Sequence, residues 1–377
     1  MQVILIIGFS QSLILAGLIL MKKQRKLPDY FLSGLFLIYG LTLFLGYMEI
    51  YNRAQGYPYP FFINTSSPFI LLHGPALWFY IKSLTSQSFR FKTKYSLHFV
   101  PFVYILVLMT LGVYSLPAEE RILKETTEAF KDDFGFPLTM GMIAVSTQTY
   151  FIWGIILIGN YRKRIKNYFS EISEMDLKWL RILLTCCVIF YGCISAFYIA
   201  DYFFGFVSYD FLQSAGYAFA ALLVIVLAYF GHRQGNIFHS HQINMDLNVV
   251  DEHKKEEAPL DDAESVFVKE LLSHMDKEKP HLNPELTLGG LARQLKVSPD
   301  FLSNILNSRL NRNFFDFINY YRVNEFKQLC RENKLDNITI MGLAWDAGFN
   351  SKATFNRVFK KTTGKTPGEF LTNEKTG

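Results

Sequence analysis

The chain has 377 residues, of which 50% are hydrophobic and 19% charged, with a formal net charge of +5. That length has room for two domains or more. The composition is too apolar for an ordinary soluble protein, and so mild a positive charge does not by itself establish a nucleic-acid partner.

Seven apolar runs occupy the first 235 residues: Val3–Met21, Tyr30–Met48, Phe62–Leu84, Leu97–Ser115, Pro137–Asn160, Leu180–Phe204 and Phe211–Phe230. A bilayer core of ~30 Å needs about 20 helical residues at ~1.5 Å each, and each run is close to that length. Pro68 and Pro75 interrupt the third run, although membrane helices tolerate proline where neighbours satisfy the freed carbonyls. The first run lacks a basic leader and a cleavage site, so it is expected to be retained.

Lysine and arginine collect in alternate loops. Lys22, Lys23, Arg25 and Lys26 flank the first run, and Lys82, Arg90, Lys92 and Lys94 the third. Arg162, Lys163, Arg164, Lys166, Lys178 and Arg181 lie between the fifth and sixth. The opposite loops hold only Arg53, Arg121, Lys124 and Lys131. Positive loops stay in the cytoplasm, so the N-terminus is expected outside and everything after Phe230 inside, at a bacterial inner membrane. Aromatic residues near span ends, such as Tyr47, Tyr51 and Tyr57, suit an interfacial belt or the wall of an outward-facing ligand pocket.

Ionisable residues inside membranes are expensive and often functional. Glu49, His73 and Asp201 are therefore candidate signal-binding residues. The competing expectations are interfacial hydration for the two acids and hydrogen-bonded packing for His73. Cys186, Cys187 and Cys193 share one apolar run and Cys330 lies beyond it. None has metal-ligand spacing, so all four read as small buried hydrophobes. No cofactor and no metal is expected.

Residues 236–262 are rich in mixed charge and read as a tether, or as a helical extension of the seventh span that transmits a signal. Their histidines lack the spacing of a metal site.

From 263 the pattern becomes that of a soluble helical domain. Ala263–Met275 is amphipathic. A first helix-turn-helix is expected over Leu286–Asn307, with Ala292 small where two helices cross, Leu291, Leu295, Val297, Leu302 and Ile305 in its core, and Ser298-Pro299 opening the second helix. Asp300, Ser303, Asn304 and Asn307 are then outward and face the major groove. Phe314–Glu332 reads as one helix ~28 Å long, close to the ~34 Å of a DNA turn. It could hold two reading heads in successive grooves. The second unit runs over Ile338–Thr363. Ala344 occupies the crossing position, Gly348 and Phe349 the turn, and Phe355 and Phe359 the core. Lys352, Ala353, Asn356, Arg357, Lys360 and Lys361 are outward. Gly364 caps that helix and Pro367 starts the last one.

The pattern Ala344-x-x-x-Gly348-Phe349-x-Ser351-x-x-x-Phe355-x-Arg357-x-Phe359-Lys360-Lys361-x-x-Gly364-x-Thr366-Pro367 resembles the AraC/XylS transcription-regulator DNA-binding domain, over about Glu264–Leu371. The resemblance implies two helix-turn-helix units in adjacent major grooves, with DNA contacts at Lys352, Ala353 and Arg357 and at Asp300, Ser303 and Asn304. The membrane part is similar to seven-span sensor regions fused to such domains, around His73-Gly74-Pro75 and His98-Phe99-x-Pro101. Three features depart from the family: Gly289-Gly290 inside a helix, Asn311 where glycine is usual, and acidic Asp300 on a DNA-facing surface. The first unit is therefore expected to read DNA more weakly.

The fold expected is all-α: a polytopic seven-helix membrane domain at 1–235, a charged linker at 236–262 and an AraC-type double helix-turn-helix domain at 263–377. The function expected is a membrane-bound one-component transcription regulator and not an enzyme. Its expected partners are double-stranded DNA, the lipid bilayer, an unidentified signal and a second copy in a homodimer. The alternatives are a transporter or membrane enzyme carrying a regulatory domain, a soluble part that docks protein rather than DNA, and a regulator released by proteolysis.

Overall fold

A computed structural model of the protein describes residues 1–86, 89–205, 207–237, 262–332 and 339–376. Apart from one isolated antiparallel bridge, the described residues form helices and loops only. The chain divides into two compact units, 1–159 with 177–237, and 160–176 with 238–377. Residues 238–261 of the expected linker lie outside the described residues.

The first unit contains α1 (Gln2–Leu20), α2 (Leu27–Ala54), α3 (Ser67–Ile70), α4 (His73–Thr85), α5 (Val100–Met109), α6 (Ala118–Thr126), α7 (Gly135–Ile165, whose last turns belong to the second unit), α8 (Lys178–Phe204) and α9 (Tyr209–Ile237). Helix α2 is central and packs on α1, α4 and α9. Leu35, Phe36, Tyr39 and Leu43 give it a fully buried stripe at helical spacing. Outward positions remain apolar, as at Ile14, Leu111 and Ile189.

Six helical segments among the described residues are long and apolar enough to cross a membrane: Gln2–Leu20, Leu27–Ala54, Thr93–Tyr114, Gly135–Ile165, Lys178–Phe204 and Tyr209–Gly231. The expected third span, Phe62–Leu84, is not one helix. Pro68 sits in the first turn of α3 and Pro75 in the first turn of α4. A missing N–H costs nothing there, so the prolines start two short helices instead of kinking one long one. The seventh run continues as helix to Ile237, beyond the expected end at Phe230.

The second unit contains α10 (Asp262–Glu278), α11 (Leu288–Gln294), α12 (Pro299–Ser308), α13 (Phe314–Glu332), α14 (Ile340–Asp346), α15 (Lys352–Thr363) and α16 (Pro367–Thr376). Two helix pairs, α11 with α12 and α14 with α15, are built alike. Thr287 and Thr339 cap α11 and α14 by accepting from the amides of Gly290 and Gly342, at 3.1 and 3.0 Å. Ala292 and Ala344 are fully buried, and their carbonyls accept from Val297 and Phe349, each at 3.0 Å, to close the turn. The left-handed turn residue is Lys296 in the first pair (φ 57°) and Gly348 in the second (φ 89°). Gly289 and Gly290 lie in the first turn of α11 rather than in a helix interior, which reduces their cost. Asn311 adopts φ 52°, a conformation asparagine tolerates.

Helix α13 joins the pairs and has the bounds read from the sequence. Its buried face carries Phe314, Phe317, Ile318, Val323 and Phe326. Phe326 meets Phe355 and Phe359 at ring separations of 4.8 and 5.3 Å, anchoring the second pair.

Candidate functional site

Helix α15 starts at Ser351, whose hydroxyl accepts from the Thr354 amide at 3.3 Å, and ends at Gly364 in a left-handed conformation. Phe355 and Phe359 point into the core, leaving Lys352, Ala353, Asn356, Arg357, Lys360 and Lys361 exposed on one side. Arg357 lies 5.8 Å from the Phe315 ring centre, and Lys361 pairs with Asp316 at 3.0 Å. On α12, Asn304 and Asn307 are exposed, while Asp300 and Ser303 are half-buried. Asn307 donates back to the Ser303 carbonyl at 2.8 Å. Asp300 occupies the first turn, where an acid complements the helix dipole. The structure thus gathers the basic candidate residues on α15 and leaves α12 with two amides, a serine and one acid.

The sequence reading missed the centre of this unit. Arg322 is fully buried in α13. Its Nε donates to the His281 carbonyl at 2.8 Å, and its terminal nitrogens donate to the Asn283 carbonyl at 2.8 Å, to Ser170 Oγ at 3.1 Å and to the Ser170 carbonyl at 3.3 Å. Burial pulls the guanidinium down to about 10, with Glu171 opposing, so it remains charged at neutral pH. Ser170 comes from the segment between α7 and α8. There Leu288 N–H donates to the Tyr168 carbonyl at 2.8 Å, and Phe315 N–H to the Lys166 carbonyl at 2.9 Å. Asn319 donates to the Ser170 carbonyl at 2.9 Å. Thr354 Oγ1, in the first turn of α15, donates to Glu171 at 2.9 Å. Tyr168, Phe169, Ser170 and Ile172 are buried. This segment is an integral part of the second unit, and only its lysines and arginines had been legible.

In the first unit, two of the three candidate signal residues line a cavity of about 330 Å³. His73 and Asp201 line it, with Thr42, Ser66, Gln213 and Tyr217 supplying further polar groups and Ile70, Met140, Ile143 and Ile194 apolar wall. His73 Nε2 is 2.9 Å from Thr42 Oγ1, and its ring stacks on Tyr39 at 4.0 Å. His73 Nδ1 is buried with no hydrogen-bond partner. Asp201 pairs with Lys131 at 3.1 Å. Glu49 is buried behind the wall rather than at a hydrated end of α2. It accepts from the Ser66 amide at 2.7 Å, Ser66 Oγ at 3.0 Å, Gln213 at 3.1 Å and Tyr217 at 2.7 Å. Among the described residues, no group of three or more His, Cys, Asp or Glu is placed to hold a metal ion.

Comparison with known proteins places this geometry. Residues 291–373 match the family described as a helix-turn-helix domain, so this part of the second unit is a helix-turn-helix domain, and it takes in most of both helix pairs. One curated relative is an uncharacterized HTH-type transcriptional regulator, YtdP, of Bacillus subtilis (strain 168), 30% identical over 86 residues. That alignment covers 23% of this chain, and the chain spans only 11% of the relative's length. A solved structure of a protein of unknown function from Listeria innocua is 25% identical, covering 28% of this chain and 94% of that one, with a TM-score of 0.25.

Proposed function

We propose that the protein is a membrane-bound one-component transcription regulator that binds specific DNA through its two helix-turn-helix pairs. The observation that carries this reading is the paired architecture itself: two capped helix pairs on one 19-residue helix, with Arg357 and three lysines exposed on α15. A spacer of ~28 Å suits heads in successive major grooves. Helix α15 supplies charge and base contacts, while α12 contributes Asn304 and Asn307 and binds more weakly.

The six apolar helices support the membrane assignment, as do the apolar side chains left exposed on them. Signal input is assigned to the cavity around His73. Its volume lies at the lower end of the ~300–1,000 Å³ usual for small-molecule pockets. The unpartnered His73 Nδ1 favours a ligand that is mostly apolar with one hydrogen-bonding group. A cytoplasmic, bacterial location for the DNA-binding unit is our reading of the positive-loop pattern, and it requires that α3 and α4 together make a seventh crossing beside the six long apolar helices.

The test is crosslinking and sequencing of DNA bound to the full-length protein in cells, compared with Arg357→Ala. Discrete sites that vanish in the variant are the expected result. A site pattern identical in both would remove the assignment of α15 as the reader.

A further inference from the structure

We propose that the segment between α7 and α8 is part of the DNA-contacting surface, with Lys163 and Lys166 binding backbone phosphates of a duplex held between the two reading helices. This rests on the DNA-binding reading above and adds a contact from outside the helix-turn-helix pairs.

The first argument is placement. Buried Tyr168, Phe169 and Ser170 tie the segment to the second unit, and Ser170 is fastened to Leu286, Asn319 and Arg322. Lys163 and Lys166 therefore lie on a rigid support within a turn or two of those anchors. They form one wall of an open groove of about 580 Å³. Asn307, at the end of α12, and Arg312 and Asn313, at the start of α13, form the opposite wall.

The second argument is chemistry. The groove is lined by lysine, arginine and asparagine side chains and by no carboxylate. Such a donor-rich surface matches the acceptor oxygens of phosphates.

The third is electrostatics. Lys166 Nζ lies 5.4 Å from the Phe315 ring centre, and Arg357 approaches the same ring at 5.8 Å. Burial pulls the Lys166 ammonium below its usual range. Lys361, Arg357 and Arg162 add to that effect and Asp316 opposes it. Asp316 already accepts from Lys361 at 3.0 Å and from Asn313 at 2.9 Å. Lys166, Arg357 and Lys361 thus share one field around Asp316, which a polyanion would complete. The DNA backbone between two occupied major grooves is such a polyanion, and the groove opens beside Asn307 at the end of α12.

The test uses the full chain in nanodiscs of zwitterionic lipid and a fluorescent duplex of random sequence about four helical turns long. Binding is measured over a salt series for the parent, Lys163→Gln, Lys163→Gln/Lys166→Gln and Arg357→Ala. Each phosphate contact contributes about 0.9 to the slope of log affinity against log salt. The expected result is a slope smaller by about 0.9 for the single variant and about 1.8 for the double, with affinity at ~0.1 M salt lower by roughly 60-fold in the double. Lys163 is exposed, so the single variant reads the contact without disturbing the packing at Phe315. Unchanged slopes for both lysine variants, alongside a reduced slope for Arg357→Ala, would overturn the groove and keep the DNA reading. The lysines would then serve another anion, such as a lipid headgroup. Unchanged slopes for all three variants would remove the DNA reading itself.

Discussion

Replacing Gly348 by alanine should cost the second unit more than replacing Gly364, although both glycines are left-handed. Gly348 has φ 89° and Gly364 φ 76°, so each substitution carries the ~1–2 kcal/mol of putting a Cβ on a left-handed backbone. The surroundings differ. A Cβ at Gly348 would lie 2.3 Å from the His281 carbonyl oxygen and 2.9 Å from the Leu282 Cα, both backbone atoms. A Cβ at Gly364 would meet nothing within 4 Å. The backbone around His281 cannot swing aside as a flexible side chain would, because Arg322 holds that same carbonyl. Overpacking adds about 1–3 kcal/mol, giving about 2–5 kcal/mol for Gly348→Ala against about 1–2 kcal/mol for Gly364→Ala. Hydrogen exchange of the α13 amides in the full-length protein measures both. The account predicts a protection loss some ten- to hundredfold larger for Gly348→Ala. Equal losses would refute the argument that this turn is pressed against the 281–282 backbone.

Four further outcomes follow from the same contacts. Arg322→Met should destabilise the second unit by about 3 kcal/mol. The His281 carbonyl loses its donor, whereas the Ser170 and Asn283 carbonyls keep Asn319 and the Leu286 amide. Urea unfolding followed by exchange in α13 measures this, and a change under 1 kcal/mol would contradict it. Burial pulls the His281 imidazole down to about 4, with Glu325 opposing. Below pH ~6.5 the unfolded chain binds a proton that the folded one refuses, so stability falls between pH ~6.5 and about 4, by up to ~3 kcal/mol. His281→Gln should flatten that part of the profile. Ser351→Ala should cost about 1 kcal/mol, seen as faster exchange in the first turn of α15 without change in α12. Glu49→Leu strands the Ser66 amide, while the Ser66 hydroxyl, Gln213 and Tyr217 keep contacts with one another, and it should lower the stability of the first unit by about 1–3 kcal/mol in thermal unfolding of the nanodisc-embedded protein.

The helix-turn-helix pairs were legible because their determinants are local. A small residue at each crossing, a capping hydroxyl and aromatic residues at three- and four-residue steps all fall within about 25 positions of sequence. The apolar helices were legible for a similar reason, since length and hydropathy are properties of one segment. The break at Pro68 and Pro75 was ambiguous because the same residues kink a long helix or begin short ones, and only packing decides.

What stayed hidden depends on partners far apart in the chain. Arg322 interrupts an apolar helical face, and nothing near it indicates that its donors reach Ser170, His281 and Asn283. Residues 160–176 carry a loop-like sequence whose charge pointed to topology, while their role in the second unit lies in backbone bonds to Leu286, Leu288 and Phe315. Glu49 resembled an interfacial acid because its donors come from Ser66, Gln213 and Tyr217, two of them more than 160 positions away.

The central claim is that one chain holds a membrane and DNA together. Its most direct test is co-flotation. Full-length protein in lipid vesicles is mixed with a fluorescent duplex from a crosslinked site and spun on a density gradient. The account predicts that the duplex rises with the vesicles for the parent protein and stays at the bottom for Arg357→Ala. Protein that floats while the duplex remains below in both cases, or protein that fails to float at all, would contradict it.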